Sequence, residues 1–197
     1  MTNTEERLLD AADDLMRARG YEAVGLAEIC RVADARKGSF YHYFGSKEVL
    51  AIAMLDRAWR RRRDTTFEAA FSDRTRPVVE RFTVYAEAMA EDLRRNGIEA
   101  IGVVPGCRFG NFAAEISSSH PAIRAKLVEV LDEMKLWFAN ALRDGVESGE
   151  LRSDIDIERE AGRVLAQMEG LMLLARAHED PDTILVLPDS VSALRRT

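Results

Sequence analysis

Cysteine is nearly missing from this chain. Cys30 and Cys107 are far apart and have no cluster of ligand residues around them. That excludes a disulfide framework, and it excludes a zinc site, which needs close Cys or His pairs. It leads us to expect a reducing compartment. Long apolar runs are also missing, and none approaches the ~20 residues of a membrane span. The polar, acidic N-terminus lacks the pattern of a secretory signal. There are no repeats, no low-complexity segment, no strand-like alternation and no recognisable cofactor motif. The expectation is a cytoplasmic, globular, all-α protein. Its 197 residues suffice for one large domain, or for a small domain joined to a larger one.

What is present is unevenly charged. The net charge of −6 is the wrong sign for a nucleic-acid binder, but it is not spread evenly. Residues 1–64 hold 12 basic and 11 acidic side chains, residues 65–197 hold 16 and 23, and residues 31–63 hold 9 and 3. A short, strongly basic region in an acidic chain is the electrostatic footprint of a local nucleic-acid contact.

Apolar spacing predicts helices throughout. The first runs from Glu6 to Arg19 on Leu8, Ala12, Leu15 and Met16, with Thr4 as N-cap and Gly20 as its stop. Leu26–Ala33 follows, then a tight turn at Asp34-Ala35. The next helix begins at Arg36 or Lys37, buries Phe40 and Phe44, and stops at Gly45. Ser46 caps a fourth that reaches about Phe71. Val78–Arg95 ends at Asn96-Gly97, and Ile98–Gly106 is irregular. Cys107–Ser117 is short. Pro121 to about Val146 is long and closes at Ser148-Gly149. Ile157–His178 is apolar nearly all round at Met168–Ala175, so it is expected to be covered on more than one side. Pro181–Arg196 is helical but broken near Pro188.

Residues 37–48, Lys-Gly-Ser-Phe-Tyr-His-Tyr-Phe-Gly-Ser-Lys-Glu, combine packing and contact residues on about two turns. Two short helices joined by a tight turn, the second bearing exposed polar side chains, form a helix-turn-helix. Arg36 and Lys37 stand at the start of the second helix, where free N–H groups and the dipole attract phosphate. Gly38 and Ser39 are small enough for close approach of the backbone. Tyr41 and His42 can donate to phosphates or base edges, and Lys47 opens the next helix. Successive residues of Arg60–Arg63 point ~100° apart, so at most one or two of the four face DNA.

The stretch from Lys37 to Glu48, with Ala11-Ala12, Leu15, Gly20-Tyr21 and Ile29, resembles the N-terminal domain of the TetR family of transcriptional repressors, over about residues 4–64. The resemblance implies a three-helix helix-turn-helix head at residues 1–64, the motif itself at about 26–45. It implies a ligand-binding and dimerisation domain at 65–197. The implied function is a ligand- or electrophile-responsive repressor, not an enzyme, that binds a palindromic double-stranded operator as a homodimer. By motif position, the DNA contacts fall on Arg36, Lys37, Gly38, Ser39, Tyr41, His42 and Lys47. Dimerisation is expected through 157–178 and 181–196, with Gly162 and Gly170 allowing close approach. Three positions depart from the family pattern: Gly25 where a hydroxyl residue often caps, Asp34 in place of the turn glycine, and Arg36 in place of a Ser or Thr cap. The alternative is a helical small-molecule-binding protein with a vestigial head.

Candidates for an inducer pocket are Phe82, Tyr85, Met89, Cys107, Phe109 and Phe112, with Met134, Trp137, Phe138, Met168 and Met172. The same residues at helical spacing equally describe an ordinary core. Gly106-Cys107-Arg108 to Glu115 resembles the start of the sixth helix in a TetR subgroup that responds to electrophiles or oxidants. Cys107, at a helix start beside Arg108, is a reactive sensor or a buried helix-start cysteine. A hydrolase using Cys107 and His120 lacks a residue to orient the His and a recognisable oxyanion loop. His120 is expected to cap its helix and His178 to lie exposed at a helix end.

Overall fold

The computed structural model describes residues 3–116 and 118–195. Among the described residues the fold is helical without strands, and an isolated bridge pairs Leu151 with Arg195. Ser117 and Arg196, which end two of the expected helices, lie outside the described residues. The chain forms two compact units, divided differently from the boundary expected at residue 64. One contains residues up to Arg60 and Arg108–Val130. The other contains Arg61–Cys107 and residues from Leu131 on.

The first unit begins with α1 (Thr4–Arg19). Its N-cap is Asn3, not Thr4. The Asn3 side chain accepts from the Glu5 N–H, and the Glu6 carboxylate accepts from the Asn3 N–H, forming a capping box. Gly20 ends the helix at φ +87°. The helices α2 (Leu26–Val32), α3 (Lys37–Tyr43) and α4 (Lys47–Arg62) follow. Ser46 caps α4 through the Val49 N–H at 3.1 Å. Leu8, Ala12, Ile29, Phe40, Leu50 and Leu55 are fully buried between them. The unit is completed by α7 (Arg108–Ile116) and the first turns of α8 (Pro121–Glu147). Phe109 meets Trp59 edge-on at 6.3 Å, and Phe112 meets Tyr21 at 6.1 Å. Burial of each such ring contributes roughly 1.5–3 kcal/mol.

In the second unit, the helix expected to reach Phe71 does so through a π-helical turn, Arg63–Phe67, before α5 (Glu68–Phe71). The next helix, α6 (Val78–Leu93), does not stop at Asn96-Gly97 but passes into a second π turn, Arg94–Glu99. The Asn96 amide donates to Asp92 at 2.7 Å. A Cβ on Gly97 would lie 2.6 Å from Pro105 Cδ, so this glycine permits close approach where it was expected to end the helix. The rest of α8, α9 (Ile157–His178), a 3-10 turn (Pro181–Val186) and α10 (Leu187–Ser192) complete the unit. Its core is aromatic: Phe67 stacks on Phe138 at 5.7 Å, with Phe71, Phe82 and Tyr85 around them. Below it, buried Arg81 donates to the carbonyls of Arg74 and Arg76 and to Asp144.

Candidate nucleic-acid interface and effector site

The α2–α3 turn places the motif residues. Asp34 takes the left-handed conformation at φ +47°, which Asp tolerates well, and the Ala35 N–H reaches back to the Cys30 carbonyl at 2.9 Å. This aims α3 so that Phe40 and Phe44 go inward. Arg36, Lys37, Gly38, Tyr41 and His42 are exposed, and Ser39 is half-buried. Tyr41 is 57% exposed, a high value for so large an aromatic side chain. Gly25 and Arg36 cap their helices without a side-chain hydrogen bond, as the departures at these positions suggested. A Cβ on Gly38 would meet nothing within 4 Å, so no packing within the chain calls for glycine there.

Lys47 is placed differently from the other candidates. It is half-buried, with Nζ 4.0 Å from the centroid of the Tyr21 ring. Burial lowers the pKa of its ammonium, against the pull of Glu22 and Glu115. The arginine run is also largely committed. Arg60 pairs with Asp56, Arg62 with Asp92 at 3.2 Å and Arg63 with Asp64, while Arg61 is exposed.

Behind the motif lies a joint that the sequence did not reveal. The Glu115 carboxylate of α7 accepts the N–H groups of Tyr21 and Glu22, each at 2.9 Å. It occupies the space beside Gly20, where a Cβ would fall 2.7 Å from Glu115 Oε2. His120, whose carbonyl accepts the Arg124 N–H at the start of α8, points its ring at Glu22 (3.0 Å) and Glu48 (3.6 Å) and lies edge-on to Tyr21. Burial, with Glu48 and Glu22 nearby, pushes the Tyr21 phenol up to about 12. Arg108 reaches Asp13 of α1 at 2.7 Å. Gly20 was legible only as a helix stop. Glu115 closes the Gly106–Glu115 stretch, but its partner lies 94 residues away, and nothing local marks the pair.

The pocket candidates do not form one set. Phe109 and Phe112 belong to the first unit. Phe82, Tyr85, Met89, Met134, Phe138, Met168 and Met172 are buried in the second, and Trp137 is half-buried there. Of these, Tyr85 and Trp137 meet Phe67 and Phe71, and Phe138 meets Phe82 and Tyr85. A cavity of about 590 Å³ lies elsewhere, lined by Arg74, Arg76, Val78, Arg81, Glu150 and Arg195 among others, and by none of the candidates. Glu150, one of its lining residues, accepts the Val78 N–H at 2.7 Å, a cap for α6 supplied from elsewhere in the chain. No group of residues suited to a metal ion occurs among the described residues.

Cys107 is buried, one residue before α7. The charge expected to act on it, Arg108, is directed to Asp13. Its thiol donates instead to Glu169 of α9, Sγ to Oε1 3.1 Å. His120 and Cys107 therefore have separate carboxylate partners. Cys30 is buried on α2, and burial raises its thiol pKa, offset in part by Lys37. His178 is exposed at the end of α9.

A basic helix-turn-helix, followed in the chain by a helical second unit, is the arrangement of a DNA-binding regulator. Two family descriptions match the chain: "Bacterial regulatory proteins, tetR family" over residues 8–54, and "Tetracyclin repressor-like, C-terminal domain" over residues 79–186. The chain belongs to the TetR family of transcriptional regulators. It is 29% identical to the transcriptional regulator AcuR of Cereibacter sphaeroides, over 91% of this chain and 79% of the relative. It is 26% identical to the transcriptional repressor DhaR of Mycobacterium sp. strain GP1, over 94% and 90%. A stretch of 55 residues is 47% identical to the repressor NemR of Escherichia coli K12, over 28% of each chain. Among solved structures, a regulatory protein TetR from Rhodobacter sphaeroides superposes with a TM-score of 0.87 at 26% identity, covering 99% of this chain and 100% of that one. The reduced form of E. coli NemR superposes with a TM-score of 0.83 at 24% identity, covering 99% and 98%.

Proposed function

We propose that the protein is a cytoplasmic repressor that binds a palindromic operator as a homodimer and releases it when a small molecule or an electrophile acts on the second unit. The observation that carries the DNA reading is α3: Phe40 is buried, Ser39 is half-buried, Lys37, Tyr41 and His42 are exposed, and Gly38 faces open space. Arg36, Lys37, Ser39, Tyr41 and His42 form the contact set. Lys47 contributes to phosphate binding only by leaving the Tyr21 ring. Two α3 helices on successive major-groove faces would stand about 34–36 Å apart. An effector that favours another spacing shifts the population away from the DNA-competent state.

The dimer reading rests on α9. Met168, Met172 and Ala175 face inward, whereas Leu173 is 63% and Leu174 46% exposed. A Cβ on Gly170 would meet nothing within 4 Å, so a second backbone has room there. In 181–195 most apolar side chains (Ile184, Leu187, Val191, Leu194) are spent within the unit, leaving Leu185 and Val186 for a partner. The terminal Arg196 of the expected interface lies outside the described residues. The relatives named as repressors, DhaR and NemR, support repression over activation. The test is a mobility-shift titration against the DNA flanking this gene. Lys37→Ala should weaken binding roughly equally for all sequences and reduce the salt slope by about one. Tyr41→Ala should weaken it as well. Specific binding left intact in both variants rules out the contact set.

A further inference from the structure

The loop before α6, the end of α8 and the chain at Arg195 meet around the cavity of about 590 Å³ in the second unit. The charge of this cavity runs against its surroundings. Residues 65–197 hold 16 basic and 23 acidic side chains, yet the lining sets Arg74, Arg76, Arg81 and Arg195 against Asp144 and Glu150. A concave surface with an excess of positive charge in an acidic region draws in anions.

The four arginines have different tasks. The side chain of Arg81 is 3% exposed and uses all three guanidinium nitrogens: Nε on the Arg76 carbonyl, Nη2 on the Arg74 carbonyl and Nη1 on Asp144. It fixes the backbone that carries Arg74 and Arg76. Among the described residues, those two and Arg195 each meet carboxylates through a single guanidinium nitrogen. Arg74 Nη2 meets Asp144 and Glu147, Arg76 Nε meets Glu80 at 3.4 Å, and Arg195 Nη2 meets Glu150 at 3.7 Å. A guanidinium carries five N–H donors, so each of the three retains donors for a second acceptor. Glu80 and Glu147 stand outside the lining and are more than half exposed, so their ion pairs are weak enough for a ligand carboxylate to replace.

The lining also holds two carboxylates at separate positions. Asp144 is bound by Arg81 and Arg74, whereas Glu150 accepts the Val78 and Val79 N–H groups with Arg195 beside it. Cationic donors therefore occur at two places, the loop before α6 and the chain at Arg195. Pro77 and Val78 add apolar wall. The volume is in the range that holds a small organic molecule rather than a bare ion.

We propose that this cavity binds a small aliphatic dicarboxylate, with Arg74 and Arg76 taking one carboxylate, Arg195 the other, and Pro77 and Val78 covering the spacer. Planar arginine forks match carboxylates with two parallel hydrogen bonds. A phosphomonoester carries its charge on one group and satisfies only one of the two places. The bound ligand ties the loop before α6 to the chain at Arg195 and stabilises the second unit. The site uses none of the pocket candidates and no residue of α3, so it stands independently of the DNA reading.

The experiment is calorimetric titration of glutarate into the full-length protein at constant ionic strength, with phenyl phosphate and butyrate as comparison ligands. Glutarate should saturate one site per chain. At about 100 times its Kd it should raise the melting temperature by roughly 5–10 °C. Arg74→Gln and Arg195→Gln should each weaken binding on the order of 10-fold. Glu147→Gln removes a competitor for Arg74 and should tighten binding about 2–5-fold. Arg95→Gln, at an exposed arginine outside the cavity, should leave it unchanged. Replacing the Arg74 side chain keeps the carbonyl that Arg81 holds, and melting without ligand shows that each variant is folded. The absence of saturable glutarate binding overturns the proposal, as does an unchanged affinity in both Arg74→Gln and Arg195→Gln. Phenyl phosphate binding tighter than glutarate overturns the ligand class, and butyrate binding equal to glutarate overturns the two-point geometry.

Discussion

Replacing Glu115 by Ala tests the joint behind the DNA-binding motif. The side chain accepts two backbone N–H groups at 2.9 Å, those of Tyr21 and Glu22. A hydrogen bond to a charged group is worth roughly 1.5–3 kcal/mol when buried. Here the carboxylate itself is exposed and Glu22 can turn to water, so each bond is discounted towards the value of an exposed cap, about 1 kcal/mol or less. Tyr21 is buried, and its N–H loses more. The sum is about 1.5 kcal/mol, which lowers the melting temperature of a chain of this size by about 3–6 °C. Gly20→Ala sharpens the test. It meets strain at φ +87° and also a contact of 2.7 Å with Glu115 Oε2. Only the second penalty depends on Glu115, so the cost of Gly20→Ala should shrink by roughly 0.5–1.5 kcal/mol in the Glu115→Ala background. Differential scanning calorimetry of the four proteins closes the cycle. A Glu115→Ala melting point within about 1 °C of wild type, or strict additivity with Gly20→Ala, would refute the reasoning.

Gly38→Leu should leave the melting temperature unchanged or raise it by up to the ~1 kcal/mol that glycine costs in a helix, yet weaken operator binding at least ~10-fold; unchanged binding would show that α3 does not approach DNA closely. Arg81→Ala removes one partner of a buried pair and should cost about 3–5 kcal/mol in urea unfolding, so a loss below about 1 kcal/mol would contradict its role as a staple. Burial alone would raise the Asp144 carboxyl, but hydrogen bonds from Arg81 and Arg74 hold it below its ordinary value of 3.8. A depressed carboxyl stabilises the fold above that value and loses the contribution as pH falls through the folded one, so an acid titration should show the loss below about pH 4, diminished in Asp144→Asn. Leu173→Glu places a charge on the exposed face of α9 and should convert dimer to monomer in sedimentation equilibrium; a dimer that survives it uses another surface.

Much of the fold was legible because it is written in local terms. Leu8, Ala12 and Met16, or Phe40 and Phe44, recur at helical spacing, and Gly20, Gly45 and Gly149 mark stops through a backbone angle that other residues resist. The exposed set from Arg36 to His42 followed from the same periodicity, because burying two phenylalanines on one face puts their neighbours on the other. Where boundaries moved, two signals competed. Asn3 outdid Thr4 as a cap because Glu6 lies three residues beyond it, and Gly97 resembled a terminator because the sequence does not show Pro105 pressing on it.

Other features depended on residues far apart in the chain. Apolar spacing by itself determined that this chain is helical and which side chains of α3 face outward, and the order of charged residues determined that basic charge is concentrated near the helix-turn-helix. Tertiary structure alone decided that α7 belongs with the first unit, that Arg108 serves Asp13 and leaves Cys107 to Glu169, and that Phe82, Tyr85 and Phe138 meet Phe67 and Phe71. The reason is range. Periodicity reports which face of one helix avoids water, whereas a hydrogen bond from Cys107 to Glu169, 62 residues apart, depends on how a loop residue meets α9.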